Sequence, residues 1–116
     1  MNVVLRFDVE PAETERFLEQ SRVALQALSA RPGYLRAWVG RSADEPGCWT
    51  LVCEWDSVGA YRRALSAYDV KLRATPLLAR ARDEPSAFEP LLTDDGREIR
   101  GRGSDRAAEP GREGHR

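Results

Sequence analysis

The chain has 116 residues and carries 18 Lys and Arg against 19 Asp and Glu, a formal net charge of -1 at pH 7. This length excludes more than one domain, and a nearly neutral chain has no long-range field to hold nucleic acid or an acidic membrane surface. The longest uncharged runs have eight residues, far short of the about 20 that cross a bilayer. Because Arg6 and Asp8 interrupt the first apolar stretch, we expect no secretion signal and a cytoplasmic location.

The first predicted elements are a strand and a long helix. Apolar residues alternate over 3–9, which predicts a strand with one apolar face. Pro11 suits the first turn of a helix, where its missing N–H is not needed. A stripe of apolar residues at spacings of three and four predicts that this helix continues to about Ala30, before Pro32 and Gly33 end it.

Two strands that pair as a hairpin follow, over 34–41 and 48–56. Ser57 then caps a second helix, on which Tyr61, Leu65 and Tyr68 form one stripe. The pair Thr75-Pro76 predicts a short helix to about residue 83, and 86–92 is expected to be the last strand. The order β-α-β-β-α-β predicts an α+β fold of the ferredoxin-like type with an antiparallel sheet.

Strand parity divides the predicted sheet into two different faces. One face is apolar throughout and suits the two helices, whereas the other mixes large apolar residues with charges: Arg6, Asp8, Arg36, Trp38, Thr50, Val52 and Glu54. This second face is too apolar to be simply solvated. We expect a second copy of the chain to cover it and close a dimeric barrel, with its Arg and acidic residues paired inside. An exposed, salt-bridged face of a monomer is the alternative.

The end of the chain has a different composition. Residues 93–116 contain five of the nine Gly and six charges of each sign, and Ile99 is their only large apolar residue. Such a segment buries too little apolar surface to offset the entropy of ordering it. The sequence therefore predicts a folding domain over 1–92 and a disordered tail over 93–116.

Several kinds of site have no signal. The single His115 lies in the tail, so 1–92 has no base for a nucleophile triad. Cys48 and Cys53 fall on opposite faces of one strand, which excludes a disulfide between them, and no CxxC motif suggests a metal. No Gly-rich loop for phosphate is present. We therefore expect neither a metal nor a cofactor.

Aromatic residues are the strongest candidate for a functional site. Trp55 ends the third strand, and Tyr61 and Tyr68 are expected on one face of the helix that follows. Such a cluster would form a flat apolar slot with hydroxyl groups at its rim, suited to a planar aromatic ligand. The alternative is that these are ordinary core residues.

Three segments carry a family resemblance: Val9-Glu10-Pro11, Arg31-Pro32-Gly33-Tyr34, and residues 51–57 leading into Ala60-Tyr61. Over about 1–92 this pattern resembles the antibiotic biosynthesis monooxygenase family, whose members are small dimeric α+β barrels. The resemblance implies a homodimer that binds a small aromatic molecule. The family includes quinone-forming oxygenases that use no cofactor, haem-degrading enzymes and members without a known reaction.

The resemblance also implies roles for single residues. Trp55 and Tyr61 resemble the catalytic Trp and Tyr of the quinone-forming members, and we expect Tyr68, Trp49 and Arg36 to contact the substrate. Leu51 stands where those members have an Asn. Haem is not expected, since the second helix offers no His to iron.

The expected function is oxidation of a planar polycyclic aromatic or polyketide-type molecule by O₂ without a cofactor. Two alternatives use the same aromatic residues. One is a dimer that binds a small molecule without turnover, which the missing Asn favours. The other is a polyketide cyclase or isomerase, which would consume no O₂.

Overall fold

The structure of the protein is a computed structural model that describes residues 1–103. The strands are β1 Asn2–Asp8, β2 Tyr34–Arg41, β3 Cys48–Trp55, β4 Ala87–Phe88, β5 Leu92–Asp94 and β6 Ile99–Gly101. The helices are α1 Thr14–Ser29, α2 Val58–Ser66, α3 Tyr68–Arg73 and α4 Thr75–Leu78, and a 3-10 turn over Pro11–Glu13 precedes α1. Within residues 1–103, no helix is both long and apolar enough to cross a membrane.

The first four strands form one antiparallel sheet in the order β2-β3-β1-β4. This order is the ferredoxin-like arrangement, so the predicted fold class is confirmed. β2 and β4 lie at the two edges of the sheet. β3 lies in the middle and pairs with β1 from Asn2–Glu54 to Asp8–Cys48, which fixes the faces of both strands.

The covered face of the sheet holds the core. Its residues on β1 and β3 are all buried: Val3, Leu5, Phe7, Trp49, Leu51, Cys53 and Trp55. α1 packs on them through Phe17, Ala24 and Leu28, as the predicted stripe requires. Cys48 and Cys53 are both free, and only Cys53 lies in the core.

The open face of the sheet holds the opposite residues of the same strands. Trp38 at its centre is 56% exposed, beside Val52 and Val4. Arg36 is 2.7 Å from Glu54, as predicted. Arg6 and Asp8, which were expected to pair inside a dimeric barrel, have other partners within this copy. They bind the segment before β4, where Arg6 contacts Glu84 and Asp8 contacts Arg82, each at 2.7 Å.

The second predicted helix is broken. Ala67 has an extended backbone (φ -70°, ψ 140°), so α2 ends at Ser66 and α3 begins at Tyr68. The prediction that Tyr61 and Tyr68 share one helix face was therefore wrong, and Tyr68 is 79% exposed. Alanine favours a helix, so local propensity at this position does not explain the break.

The last part of the chain also differs from the prediction. The strand expected over 86–92 is only Ala87–Phe88, because Pro90 has no N–H to give to the sheet. The short helix expected to reach residue 83 ends at Leu78. β5 and β6 form a separate hairpin inside the predicted tail. Residues 104–116 lie outside the described part, and the domain boundary at residue 92 stays a prediction.

Candidate functional site

Three aromatic rings meet on the covered face, where β2, β3 and α2 come together. The rings of Tyr34 and Trp55 are 5.4 Å apart, edge to face, and those of Trp55 and Tyr61 are 5.6 Å apart. We call these residues the Tyr-Trp-Tyr cluster. Trp55 lies between the two tyrosines and has no exposed surface. A ligand approaching this cluster therefore meets a tyrosine first.

Local sequence explains how the cluster is assembled. Tyr34 is the register partner of Trp55 in the hairpin of β2 and β3. Ser57 accepts a hydrogen bond from the backbone N–H of Ala60 and starts α2 directly after β3, so Tyr61 falls in the first turn of the helix. Gly33 has φ +90°, and a Cβ there would lie 2.5 Å from that of Ala60. Glycine is thus required where β2 passes α2.

The electrostatic state of the cluster is neutral. The indole N–H of Trp55 donates to Cys53 Sγ at 3.2 Å, which fixes the orientation of the ring. Burial raises the pKa of the Cys53 thiol and of Tyr34, and it raises the pKa of Tyr61 to about 12. At neutral pH both tyrosine hydroxyls therefore keep their protons and act as donors, not as bases.

A surface cleft of about 430 Å³ lies between α1 and the edge strand β2, and Tyr34 forms part of its wall. Its lining is Leu18, Ser21, Arg22, Leu25, Gln26, Ser29, Tyr34 and Val39. The cleft is shallow and largely open to solvent, and its lining combines aliphatic and hydroxyl groups that could contact one side of a small molecule. Tyr34 thus links the α1–β2 cleft to the Tyr-Trp-Tyr cluster behind it.

Arg22 supplies positive charge at this cleft. Its Nε lies 3.6 Å from a carboxylate oxygen of Glu19, one turn earlier on α1, and both side chains are largely exposed. An exposed pair at this distance holds its partner weakly. The guanidinium is therefore available to an anionic group of a ligand in the cleft.

The structure brings together only part of the predicted site. Trp55 and Tyr61 are in contact, whereas Tyr68 projects into solvent from α3. Trp49 packs on Phe17 at 5.5 Å, at the other end of the core, with Arg41 over its ring. Arg36 lies on the open face beside Glu54. The predicted substrate contacts Tyr68, Trp49 and Arg36 therefore do not converge with Trp55.

Two residues of the site were missed in the sequence. Tyr34 lies in the segment Arg31-Pro32-Gly33-Tyr34, and its hairpin pairing with Trp55, which places both on the same face, is the signal that could have identified it. Arg22 had no signal, because an Arg on a polar helix face looks like any solvated charge. Leu51, where the quinone-forming members have an Asn, is fully buried on the covered face. No donor therefore stands at that position of β3.

Within the part of the chain that the structure describes, no group of three His, Cys, Asp or Glu is arranged to hold a metal ion.

A comparison with curated proteins finds no match.

Solved structures that resemble the chain support its fold. SnoaB, a cofactor-independent oxygenase from Streptomyces nogalater, is 27% identical, with a TM-score of 0.59 over 74% of this chain and 84% of that one. A putative antibiotic biosynthesis monooxygenase from Nitrosomonas europaea is 18% identical, with a TM-score of 0.59 over 86% of each chain. A conserved protein from Methanosarcina mazei Go1 is 20% identical, with a TM-score of 0.60 over 74% of this chain and 84% of that one.

The sequence itself matches a family profile, that of antibiotic biosynthesis monooxygenase, over residues 1–71. This match spans β1 to α3 and includes every residue of the Tyr-Trp-Tyr cluster and of the α1–β2 cleft. The resemblance predicted from the sequence is thereby confirmed, and the chain belongs to the antibiotic biosynthesis monooxygenase family.

Proposed function

We propose that this protein binds a planar polycyclic aromatic or polyketide-type molecule in the α1–β2 cleft and oxidises it with O₂ without a cofactor. The observation that carries the proposal is the position of Tyr34, which lines the cleft and contacts Trp55. Family membership supports the reaction class, and the likeness to SnoaB, described as a cofactor-independent oxygenase, supports the absence of a cofactor.

The reaction needs no external reductant. The enol of a three-ring ketone such as anthrone loses its proton, and the anion gives one electron to O₂. The resulting radicals combine into a peroxide at the CH₂ carbon, which then loses water. One oxygen atom becomes the new carbonyl and the other leaves in water, so the four electrons taken from carbon are those that O₂ accepts. The protein only has to bind, orient and stabilise the anion.

The residues of the site suit these tasks. Tyr34 offers an aromatic ring to a planar ligand, and Arg22 offers a cation to its anionic oxygen. Tyr61 does not line the cleft; it lies behind Trp55 and contacts the ring of Trp55. Trp55 holds the two tyrosines in place by contacts to both rings. In this proposal Trp55 and Tyr61, which the resemblance predicted as catalytic residues, act by holding the ring of Tyr34 in position.

Oxygen uptake and anthraquinone absorbance, measured together with anthrone, test the proposal. We expect one O₂ consumed for each quinone formed. Arg22→Gln should lower kcat/KM by about tenfold, the cost of one hydrogen bond to a charged group. Trp55→Phe should also lower quinone formation. Arg62→Gln, at an exposed position of α2, is the matched control and should leave the rate unchanged. No uptake above the spontaneous rate with anthrone or related phenols would rule out the oxygenase.

A second candidate function is binding without turnover. It is favoured by one observation: Leu51, where the resemblance leads one to expect an Asn, is fully buried on the covered face of β3. Saturable quenching of tryptophan fluorescence by anthraquinone, with no oxygen uptake from anthrone, would establish this function instead. A cyclase or isomerase would convert a polyketide substrate under argon at the same rate as in air.

We further propose that the protein works as a homodimer in the cytoplasm, with a second copy on the open face. The ion pairs of that face support this partner, because Arg36 with Glu54 and Arg6 with Glu84 are already matched within one copy. A matched pair costs less to bury than a lone charge. The apolar centre of the face, Trp38 with Val52 and Val4, would then be removed from water.

A further inference from the structure

A second groove lies among the helices, between α1 and the pair formed by α3 and α4. Its volume is about 320 Å³, and it shares no lining residue with the α1–β2 cleft. Its lining is Arg16, Glu19, Gln20, Val23, Leu72, Arg73, Pro76 and Leu77. We call it the α1–α3 groove. Because the helices pack on the covered face of the sheet, a partner on the open face would leave this groove accessible.

The middle of the α1–α3 groove is apolar. Leu77 is 2% exposed and forms the floor, and Val23 beside it is half-buried. Leu72 is 59% exposed at the rim, and Pro76 adds its ring to the same wall. A single exposed leucine is ordinary, but apolar groups gathered in a concave surface favour contact with the apolar body of a small molecule.

Two hydrogen-bond donors stand side by side at one end of the groove. Arg16 and Gln20 are four residues apart on α1 and are therefore neighbours on one helix face. Arg16 is exposed and has no ion pair or hydrogen bond with another residue of 1–103. The carboxamide oxygen of Gln20 accepts from Arg80 Nη1 at 2.6 Å, so its N–H groups are the end left to a ligand. A guanidinium beside an amide donor matches a carboxylate, which accepts from both.

The opposite end of the groove differs, because its cation is already engaged. Arg73 donates to Gln26 Oε1 at 2.8 Å and to the Asp69 carboxylate at 3.3 Å, so its charge is partly neutralised. Glu19 is the single carboxylate among the lining residues, and its partner is Arg22, at 3.6 Å. With two Arg against one Glu, the lining favours an anion. The anion is expected at the Arg16 end, where the cation is free.

We propose that the α1–α3 groove binds a small apolar carboxylic acid, with its carboxylate on Arg16 and Gln20 and its body over Val23 and Leu72. The positive lining disfavours a cationic ligand. The apolar floor disfavours a sugar, whose hydroxyl groups would leave water without finding partners. This inference rests neither on the oxygenase reaction nor on the homodimer.

The helix sets the length of acid that fits. From Arg16 to Val23 the axis of α1 rises by about 10 Å, which is similar to the length of an extended eight-carbon chain. Octanoate therefore reaches from the donor pair to the apolar middle of the groove. Octanamide has the same body without the charge, so it is the matched control ligand.

Amide chemical shifts of the full-length protein, followed during titration with sodium octanoate, test the site. We expect saturable shifts at Gln20, Val23 and Leu72. Arg16→Gln should weaken octanoate binding by about tenfold, as expected for one hydrogen bond between charged groups. Octanamide should bind the wild type about tenfold more weakly than octanoate does, for the same reason. Arg62→Gln, at an exposed position of α2, is the matched control variant and should bind octanoate as the wild type does.

Leu72→Ser tests the apolar half of the site and should weaken octanoate and octanamide alike. Arg16 and Leu72 are both exposed, so these variants should keep the wild-type melting temperature. Octanoate that causes no saturable shifts in the groove, or that binds Arg16→Gln as tightly as wild type, would overturn the proposal. Shifts confined to Leu25, Tyr34 and Val39 would place the acid in the α1–β2 cleft and would overturn it as well. Oxygen uptake from anthrone is a separate measurement, so the two proposals can fail independently.

Discussion

The two faces of the sheet are made by alternating residues of the same strands, yet they have opposite properties. On β3, Leu51 and Trp55 have no exposed surface, whereas Val52 and Glu54 between them reach the open face. The covered face is closed by helices of its own chain and contains the Tyr-Trp-Tyr cluster. The open face carries its charges in matched pairs around an exposed tryptophan. One strand thus serves a small-molecule site on one side and, as we propose, a protein partner on the other.

This difference has an energetic reason. The covered face is packed within a single copy, since its large side chains belong to one core cluster together with residues of the helices. The open face retains its apolar surface in water, and only a partner removes it. Substitutions on the covered face should therefore act on the stability of each copy. Substitutions on the open face should act on association.

The largest effect on stability is expected from a substitution in the core of the covered face. Trp55→Ala removes a fully buried indole between Tyr34 and Tyr61 and should lower the free energy of unfolding by about 3–5 kcal/mol. Trp38→Ala is the matched control on the open face, and in protein dilute enough to be monomeric it should cost under about 1 kcal/mol. Urea unfolding followed by far-UV circular dichroism measures both. Equal costs would contradict the division between the faces.

The second largest effect on stability is expected where a glycine with a positive φ is replaced. Gly33→Ala must hold φ near +90° with a side chain 2.5 Å from that of Ala60, and it should cost about 1–3 kcal/mol. In Gly59→Ala the new methyl meets the flexible end of Arg63 at 3.1 Å and Ser57 Oγ at an ordinary 3.8 Å, so this variant should be neutral or slightly stabilising. Thermal melts compare the two. A melting temperature unchanged in Gly33→Ala would contradict the close packing of β2 on α2.

The pH dependence of stability that comes from Tyr61 is expected to be smaller than the effects of these two substitutions. Burial raises the pKa of Tyr61 above the value of 10.0 of an unburied tyrosine, to about 12, so its neutral form is favoured in the folded state. The resulting stability is fully present below pH 10 and is lost as the pH rises towards 12. The free energy of unfolding of the wild type, measured from below pH 10 up to pH 12, should show this loss. In Tyr61→Phe the loss should be reduced, and an identical pH profile would contradict the burial of that hydroxyl.

The smallest effect is expected at an ion pair of the open face. Arg36→Gln breaks the contact with Glu54, but the Arg36 side chain is 82% exposed, so the change should cost under about 1 kcal/mol in the monomer. The same substitution should weaken the dimer more strongly, because Glu54 would then be buried without its partner. Urea unfolding and sedimentation of the same variant separate the two effects. A variant that loses monomer stability but dimerises normally would contradict the proposed interface.

Much of this architecture follows from the sequence by simple periodicity. Alternation places Leu51 and Trp55 on one face, and Ser57 starts α2 where the capping rule puts it. The helix break at Ala67 was not predictable, because alanine favours the helix on either side. The meeting of α1 with β2 at the cleft is a tertiary contact that no local pattern contains.

The segment after residue 92 contains a local turn signal that its polar composition outweighed in the prediction. Asp95-Gly96 is a dipeptide that favours a tight turn between strands. Its neighbours have little apolar content, so composition predicted disorder over the whole segment. Composition reports how much apolar surface a segment can bury by itself, and Leu92 and Ile99 remain 70% and 67% exposed in the hairpin. The turn is specified locally by Asp95 and Gly96, which composition does not register.

Amide and methyl chemical shifts of the full-length protein, recorded with and without saturating anthraquinone, test most directly which face receives the small molecule. The account predicts shifts at Leu25, Tyr34 and Val39 around the α1–β2 cleft, with those of Trp38 and Val52 on the open face unchanged. Shifts confined to Trp38 and its neighbours, or no shifts at all, would contradict it.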